Sequence, residues 1–139
     1  MTALFLRKFP GPLTNIALAL NLDPKFAKRP TETVIMGGNV YGIGNIDAKH
    51  TAEFNFGADP EAAYVVLERM RCPLTIVPWE ATCFENDDML GFVDEVAVAY
   101  ALSGDKIVKK HRMLRASVEL SGEYTRHIFI LQSLLWNMV

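Results

Sequence analysis

Residues 36–63 read MGGNVYGIGNIDAKHTAEFNFGADPEAA. Just before and into this stretch, Thr33 to Met36 is a short β-branched and apolar run stopped by Gly37-Gly38, which predicts a buried strand entering a tight turn. At the far end, Asp59-Pro60-Glu61 predicts a helix start. Asp59 can cap, Pro60 fits the first helical position, and Glu61 suits the positive end of the helix dipole. Residues 38–52 read as a loop with Gly38, Gly42 and Gly44 and little that can pack; a loop of this length in a compact domain is usually functional or disordered. AEFN (52–55) then reads as a brief extended segment, in which Glu53 and Asn55 alternate with Phe54 and Phe56. The stretch thus sets an amide, a carboxylate and a second amide (Asn45, Glu53, Asn55) between a strand and a capped helix. Such a trio can donate to and accept from vicinal hydroxyls, which suits a sugar.

Outward from this stretch the periodicities alternate. Leu13, Ile16, Ala17 and Leu20 fall on one helical face, ended by Asp23-Pro24. The helix after Asp59 buries Ala63, Val66, Leu67 and Met70, with Glu61, Tyr64, Glu68 and Arg71 on its other side. Residues 74–78 (LTIVP) predict a second buried strand, and residues 79–90 look irregular. Val93, Val96, Ala97 and Tyr100 mark a further helix, closed by Ser103-Gly104, whose composition predicts burial on several sides. Residues 116–120, a turn at 121–123 and residues 125–131 read as a β-hairpin, and the first ten residues form no clear element. Strand, helix, strand, helix is the order of an α/β fold with a parallel sheet, in which ligands sit beyond the carboxyl ends of the strands.

The bulk properties narrow the function classes. A chain of 139 residues with 22% charged residues and net charge −2 is at most one globular domain, with no electrostatic signature of a nucleic-acid or membrane partner. Lys109, Lys110, His111 and Arg112 read as a solvated turn or strand edge. Two isolated cysteines, Cys72 and Cys83, without a metal-binding spacing predict free thiols in a reducing compartment. The apolar run at the start precedes its basic residues, unlike a secretory signal, and no window reaches the roughly 18 apolar residues of a membrane span. The expected location is the cytoplasm. His50, His111 and His127 read as structural or exposed, and Glu80, Glu85, Asp87 and Asp88 as solvated loop acids.

The blocks GPLTNIALAL, MGGNVYGIGN, AEFNFGADPEAA, GFVDEVAVAYAL and SVELSGEYTR, in this order, resemble the inosine-uridine-preferring nucleoside hydrolases. The resemblance implies an α/β fold with a mostly parallel sheet, flanking helices and a C-terminal hairpin. It places a partial family domain at 11–131, a non-family segment at 1–10 and a truncated tail at 132–139. Family members hydrolyse the N-glycosidic bond of ribonucleosides such as inosine or uridine to ribose and base, around one calcium ion. By matching motif, Asn45, Glu53 and Asn55 resemble the groups that grip the ribose, while Thr14, through its backbone carbonyl, and Asp94 resemble calcium ligands. The chemistry is coherent: calcium takes about 6–8 oxygen ligands, it acidifies and orients a bound water, and clustered negative charge stabilises an oxocarbenium-like sugar.

The chain also departs from the family pattern. The acidic D-x-D-x-x-x-D-D block, which supplies two calcium carboxylates and the general base, occurs nowhere in the sequence. The front third of the family domain is thus not represented, and a second gap falls between VPWEATCF and GFVDE. Val93 stands where many members place a histidine that serves the leaving base, and the spacing from Asn45 to Glu53 is slightly long. With no general base and two calcium ligands, the expectation is weak or no calcium binding and little or no hydrolysis by this chain alone. Two alternatives stand beside it. One is a truncated, non-catalytic variant that pairs in a homo-oligomer or with a full-length homologue. The other is a fragment that does not fold independently, because an incomplete parallel sheet exposes edges and apolar faces.

Overall fold

The computed structural model describes residues 6–9, 11–46, 51–81, 93–108, 111–122 and 129–132. Strands β1 (Leu6–Phe9), β2 (Glu32–Met36) and β3 (Leu74–Val77) form a parallel sheet in the order β1-β2-β3. Helices α1 (Thr14–Leu22), α2 (Phe54–Ala58), α3 (Pro60–Arg69) and α4 (Val93–Ser103) flank it. Strands β4 (Arg115–Val118) and β5 (Phe129–Gln132) pair antiparallel, with Ala116 opposite Leu131. The α/β architecture follows the alternating sequence pattern, and the expected hairpin is present with its strands starting and ending within a few residues of the sequence reading. Of its expected turn, Ser121 and Gly122 are described and residue 123 lies outside the described residues.

The central strand organises the packing. Thr33, Val34, Ile35 and Met36 are all completely buried, as expected for a parallel strand covered on both faces. Alternation of side chains sends Ile35 into one layer and Val34 and Met36 into the other. The first layer contains Leu13 just before α1, Ile16, Ala17 and Leu20 of α1, Ala62, Ala63 and Val66 of α3, Phe56 of α2 and Val118 of β4. The second contains Val77 of β3 and Ala97 of α4, with Trp79, Val96, Tyr100 and Ala101 packed against it. The apolar positions read from α1 and α3 are those that lie inside, Leu67 being partly covered.

Three local expectations are corrected. The first ten residues contain a strand, β1, whose four residues pair with β2 from Leu6↔Glu32 to Phe9↔Ile35; its existence depends on a partner 26 positions away, which local pattern does not report. Residues 54–58 are a short helix and not an extended segment: Glu53, in an extended conformation, accepts from the amides of Asn55 and Phe56 and so turns the chain into α2. Helix α4 has Ala97 as its one fully buried residue among those described, while Leu102 stays 81% exposed, so it is covered on one side and half-open elsewhere. The start of α3 agrees with its reading: the Asp59 side chain accepts from Ala62 N at 3.0 Å and Pro60 sits in the first turn.

The junction between β2 and the following loop has no room for a side chain. Gly37 has φ +156°, and a Cβ there would lie 2.4 Å and 2.6 Å from ring carbons of Phe56 and 3.2 Å from Oε2 of Glu53. Phe56 is wholly enclosed, so its ring cannot swing aside without opening the core. Gly37→Ala is therefore expected to cost roughly 1–3 kcal/mol through overpacking, read as a lower urea midpoint at unchanged slope. An unshifted midpoint would show that the ring relocates freely.

Candidate functional site

The loop leaving β2 is nearly devoid of buried apolar side chains: Val40, Tyr41, Ile43 and Ile46 are all exposed. Its conformation is set by polar groups. Gly37 N donates to Val77 O at 3.1 Å and Trp79 N to Gly38 O at 2.9 Å, so the loop root continues the register between β2 and β3. The Asn39 side chain is buried and donates to Ile43 O at 3.3 Å and to Thr51 O, spanning the loop. Further out, the Glu80 carboxylate accepts from Val40 N, 3.0 Å from each oxygen, and from Tyr41 N at 2.9 Å.

Asn45, Glu53 and Asn55 meet at the carboxyl end of β2. Asn45 Oδ1 accepts from Phe54 N at 2.7 Å, and Asn45 N donates to Ala52 O at 3.3 Å. The amide capped by Asn45 therefore lies between the two other members of the trio in sequence. Glu53 is 2% exposed. Its Oε2 accepts from Gly38 N at 3.0 Å and Phe56 N at 3.2 Å, and its Oε1 from Asn55 N at 2.9 Å. Asn55, also buried, donates through Nδ2 to Met36 O at 3.2 Å and contacts Met36 Sδ at 3.3 Å.

These bonds leave a defined set of groups for a ligand. An ionised carboxylate has about four acceptor positions, and three amides occupy three on Glu53. Among the described residues, Asn55 Oδ1 and the Asn45 amide NH2 carry no hydrogen bond. Burial pushes the Glu53 carboxyl above its ordinary value of 4.5, the amides of Asn55, Gly38 and Phe56 oppose this, and the like charge of Asp94 adds to the rise. Asp94 is exposed in the first turn of α4, and its charge is the smallest of these influences on Glu53.

Thr14 is placed elsewhere. It is the first residue of α1, and its hydroxyl donates to Asp59 Oδ2 at 2.5 Å, tying α1 to the cap of α3. No hydrogen bond among the described residues joins it to the other four. Among the acids read as solvated, Glu80 is corrected: it is half-buried and bound to two backbone amides. Glu85, Asp87, Asp88, Cys83, His50 and His127 lie outside the described residues, His111 is exposed and Cys72 is a half-buried free thiol. Asn39 was not singled out by sequence reasoning, and Glu80 was read there only as a solvated acid. A parallel β2–β3 pairing carried the signal for Glu80, because the residues just after β3 must lie beside the loop that leaves β2. No helix among the described residues is long and apolar enough to cross a membrane.

Comparison with known proteins is consistent across sequence and fold. The family model for inosine-uridine preferring nucleoside hydrolase matches residues 9–90. Uridine nucleosidase 1 of Arabidopsis thaliana is 48% identical over 83 residues, which is 58% of this chain and 24% of that protein. Pyrimidine-specific ribonucleoside hydrolase RihB of Escherichia coli O1:K1 / APEC is 52% identical over 56 residues, 40% of this chain and 17% of that protein. The matched stretch spans less than a quarter of either curated relative. Among solved structures, an inosine-guanosine nucleoside hydrolase superposes with a TM-score of 0.79 at 26% identity, over 96% of this chain and 51% of its own. With the β2 loop and the capped α3 inside a match covering more than half of its residues, this chain belongs to the inosine-uridine preferring nucleoside hydrolase family.

Proposed function

We propose that this chain carries the ribose-gripping part of a nucleoside hydrolase site, binds the sugar of a ribonucleoside such as inosine or uridine, and hydrolyses the N-glycosidic bond little or not at all by itself. The observation that carries the reading is the convergence of Asn45, Glu53 and Asn55 at the carboxyl end of β2, where α/β sheets bind ligands. The NH2 of Asn45 can donate to a sugar hydroxyl. Oδ1 of Asn55, the open position on Glu53 and the Asp94 carboxylate can accept from one. Polar groups held by backbone bonds pay little further ordering entropy when a diol arrives.

The donor set does not fit a calcium shell. The ion requires about 6–8 oxygens, whereas Glu53 already serves three amides and the Thr14 hydroxyl is engaged with Asp59. As the first residue of α1, Thr14 also directs its carbonyl along the helix toward the amide four residues on. Asp94 is left as the one fully available carboxylate of the proposed set. No group of three or more His, Cys, Asp or Glu that could hold a metal occurs among the described residues. The general base of the family belongs to an acidic block that these 139 residues do not contain. Binding without turnover is the consistent combination, and the cytoplasm is the compartment we assign to it.

Titrating the chain with uridine and inosine by NMR, and assaying reducing-sugar release with calcium present, tests both halves. Weak binding is expected, lowered by Asn45→Ala or Asn55→Ala by roughly 0.5–1.5 kcal/mol each, the worth of a net hydrogen bond, with no sugar released above the blank. Absence of binding by the folded chain refutes the sugar site, and sustained turnover refutes the inactivity.

Glu53 makes stability depend on pH. Because its carboxyl is held above 4.5 in the folded chain, the native state keeps a proton that the unfolded chain releases between 4.5 and the raised value. Its contribution is therefore complete below 4.5 and falls as pH rises through that window. Glu53→Gln is expected to remove this slope from urea midpoints measured across pH 4–8. Parallel profiles for the two proteins would assign the pH dependence to other groups.

A further inference from the structure

We propose that Glu80 is a positioning residue for the sugar site: by bracing the crest of the β2 loop it fixes where Asn45 presents its amide. The proposal rests on the ribose-binding reading above. Three hydrogen bonds carry it, Val40 N to both carboxylate oxygens at 3.0 Å and Tyr41 N to Oε1 at 2.9 Å. Two successive amides turned toward one point form an anion-binding concavity, and here an internal carboxylate fills it. Hydrogen bonds to a charged acceptor are roughly twice as strong as neutral ones.

The arm that delivers the carboxylate is fixed. Glu80 lies in the short turn Trp79–Ala81 directly after β3, closed by Ala81 N donating to Pro78 O at 2.9 Å. Trp79 packs on the second core layer, and its amide is bonded to Gly38 O. Among the described residues, no other side chain bonds to the Val40 and Tyr41 amides of the crest. The side chains of Val40 and Tyr41 are 40% and 76% exposed, so burial does not fix them. Immediately beyond lies Gly42 at φ +71°, with open space where its Cβ would be, and Gly44 follows. Glycine makes that segment conformationally permissive. With the brace lost, the segment from Val40 to Asn45 would be held by Asn39 Nδ2 on Ile43 O and by the two bonds of Asn45 itself, to Ala52 O and Phe54 N, so the Asn45 amide would sample a wider range. Glu53 holds the loop root at Gly38, and Asn39 holds its waist. Glu80 reaches the crest, from 40 positions away in sequence.

The test uses the full chain with Glu80→Ala and Glu80→Gln, the second retaining one acceptor oxygen and the side-chain shape. Amide hydrogen exchange at Val40 and Tyr41 is expected to rise at least about tenfold in Glu80→Ala and less in Glu80→Gln. The amide of Gly37, bonded within the sheet, should stay protected. Uridine affinity is expected to fall several-fold in the same order, and Asn45→Ala should cost less in the Glu80→Ala background than in the parent, because coupled residues are not additive. A merely structural role would leave the two substitutions additive. Unchanged exchange at Val40 and Tyr41 overturns the brace. Faster exchange with undiminished uridine affinity, or with additive effects, overturns the positioning role while the sugar site stands. Failure of the parent chain to bind uridine overturns the sugar reading, and the positioning role with it, whatever the exchange rates show.

Discussion

The buried carboxylate of Glu53 is the contact on which the loop and its flanking elements depend. Removing a carboxylate from water is expensive unless its oxygens are bonded, and here three backbone amides from two separate pieces of chain supply the bonds. Gly38 belongs to the end of β2, and Asn55 and Phe56 to the start of α2. One side chain therefore joins the strand end to the helix start, and the ring of Phe56 is drawn over Gly37 as a consequence. The desolvation that raises the Glu53 carboxyl is the cost of using a charged group as a structural hub. The amides oppose that rise without cancelling it.

The same reasoning accounts for the rest of the loop. A glycine-rich segment with exposed apolar side chains cannot be ordered by burial, so its backbone groups must find polar partners. Asn39, Asn45, Glu53 and Glu80 provide them, each from a different place: the loop itself, its far end, the cap of α2 and the turn after β3. On the proposed sugar-binding reading, structure and ligand binding draw on the same groups. Asn45 spends its oxygen on Phe54 N and keeps its NH2, whereas Asn55 spends its NH2 on Met36 O and keeps its oxygen. Complementary halves of the two amides are left unbonded among the described residues, the combination a hydroxyl pair would use on that reading.

The sequence was most legible where local chemistry and tertiary packing agree. Asp59-Pro60-Glu61 specified the start of α3 because capping is a property of adjacent residues, and the apolar stripes of α1 and α3 coincide with their buried faces. It was least legible where long-range pairing decides. LRKF carries no strand pattern of its own and becomes β1 through its register with β2. The alternation of Glu53, Phe54, Asn55 and Phe56 has the period of a strand, yet the capping carboxylate makes a helical turn there. Glu80 looked like any surface acid because its partners, Val40 and Tyr41, are 40 and 39 positions away. Asn45, Glu53 and Asn55 were singled out through the motif that surrounds them, but the hydrogen bonds that each of them makes were not legible there.

Family membership and geometry bear on different halves of the chemistry. A nucleoside hydrolase must hold the sugar and must activate water, and the first task needs fixed amides and acceptors whereas the second needs a metal shell and a base. On the proposed reading, the end of β2 supplies the first set from a contiguous stretch, residues 36–63, within a match that spans less than a quarter of either curated relative. The acidic block expected to supply two calcium carboxylates and the general base is a separate stretch that the 139 residues do not contain. The separability is physical: hydrogen bonds accepted by Glu53 and Glu80 and donated by Asn39 hold this loop without drawing on a cation, so its geometry does not depend on the groups that would activate water.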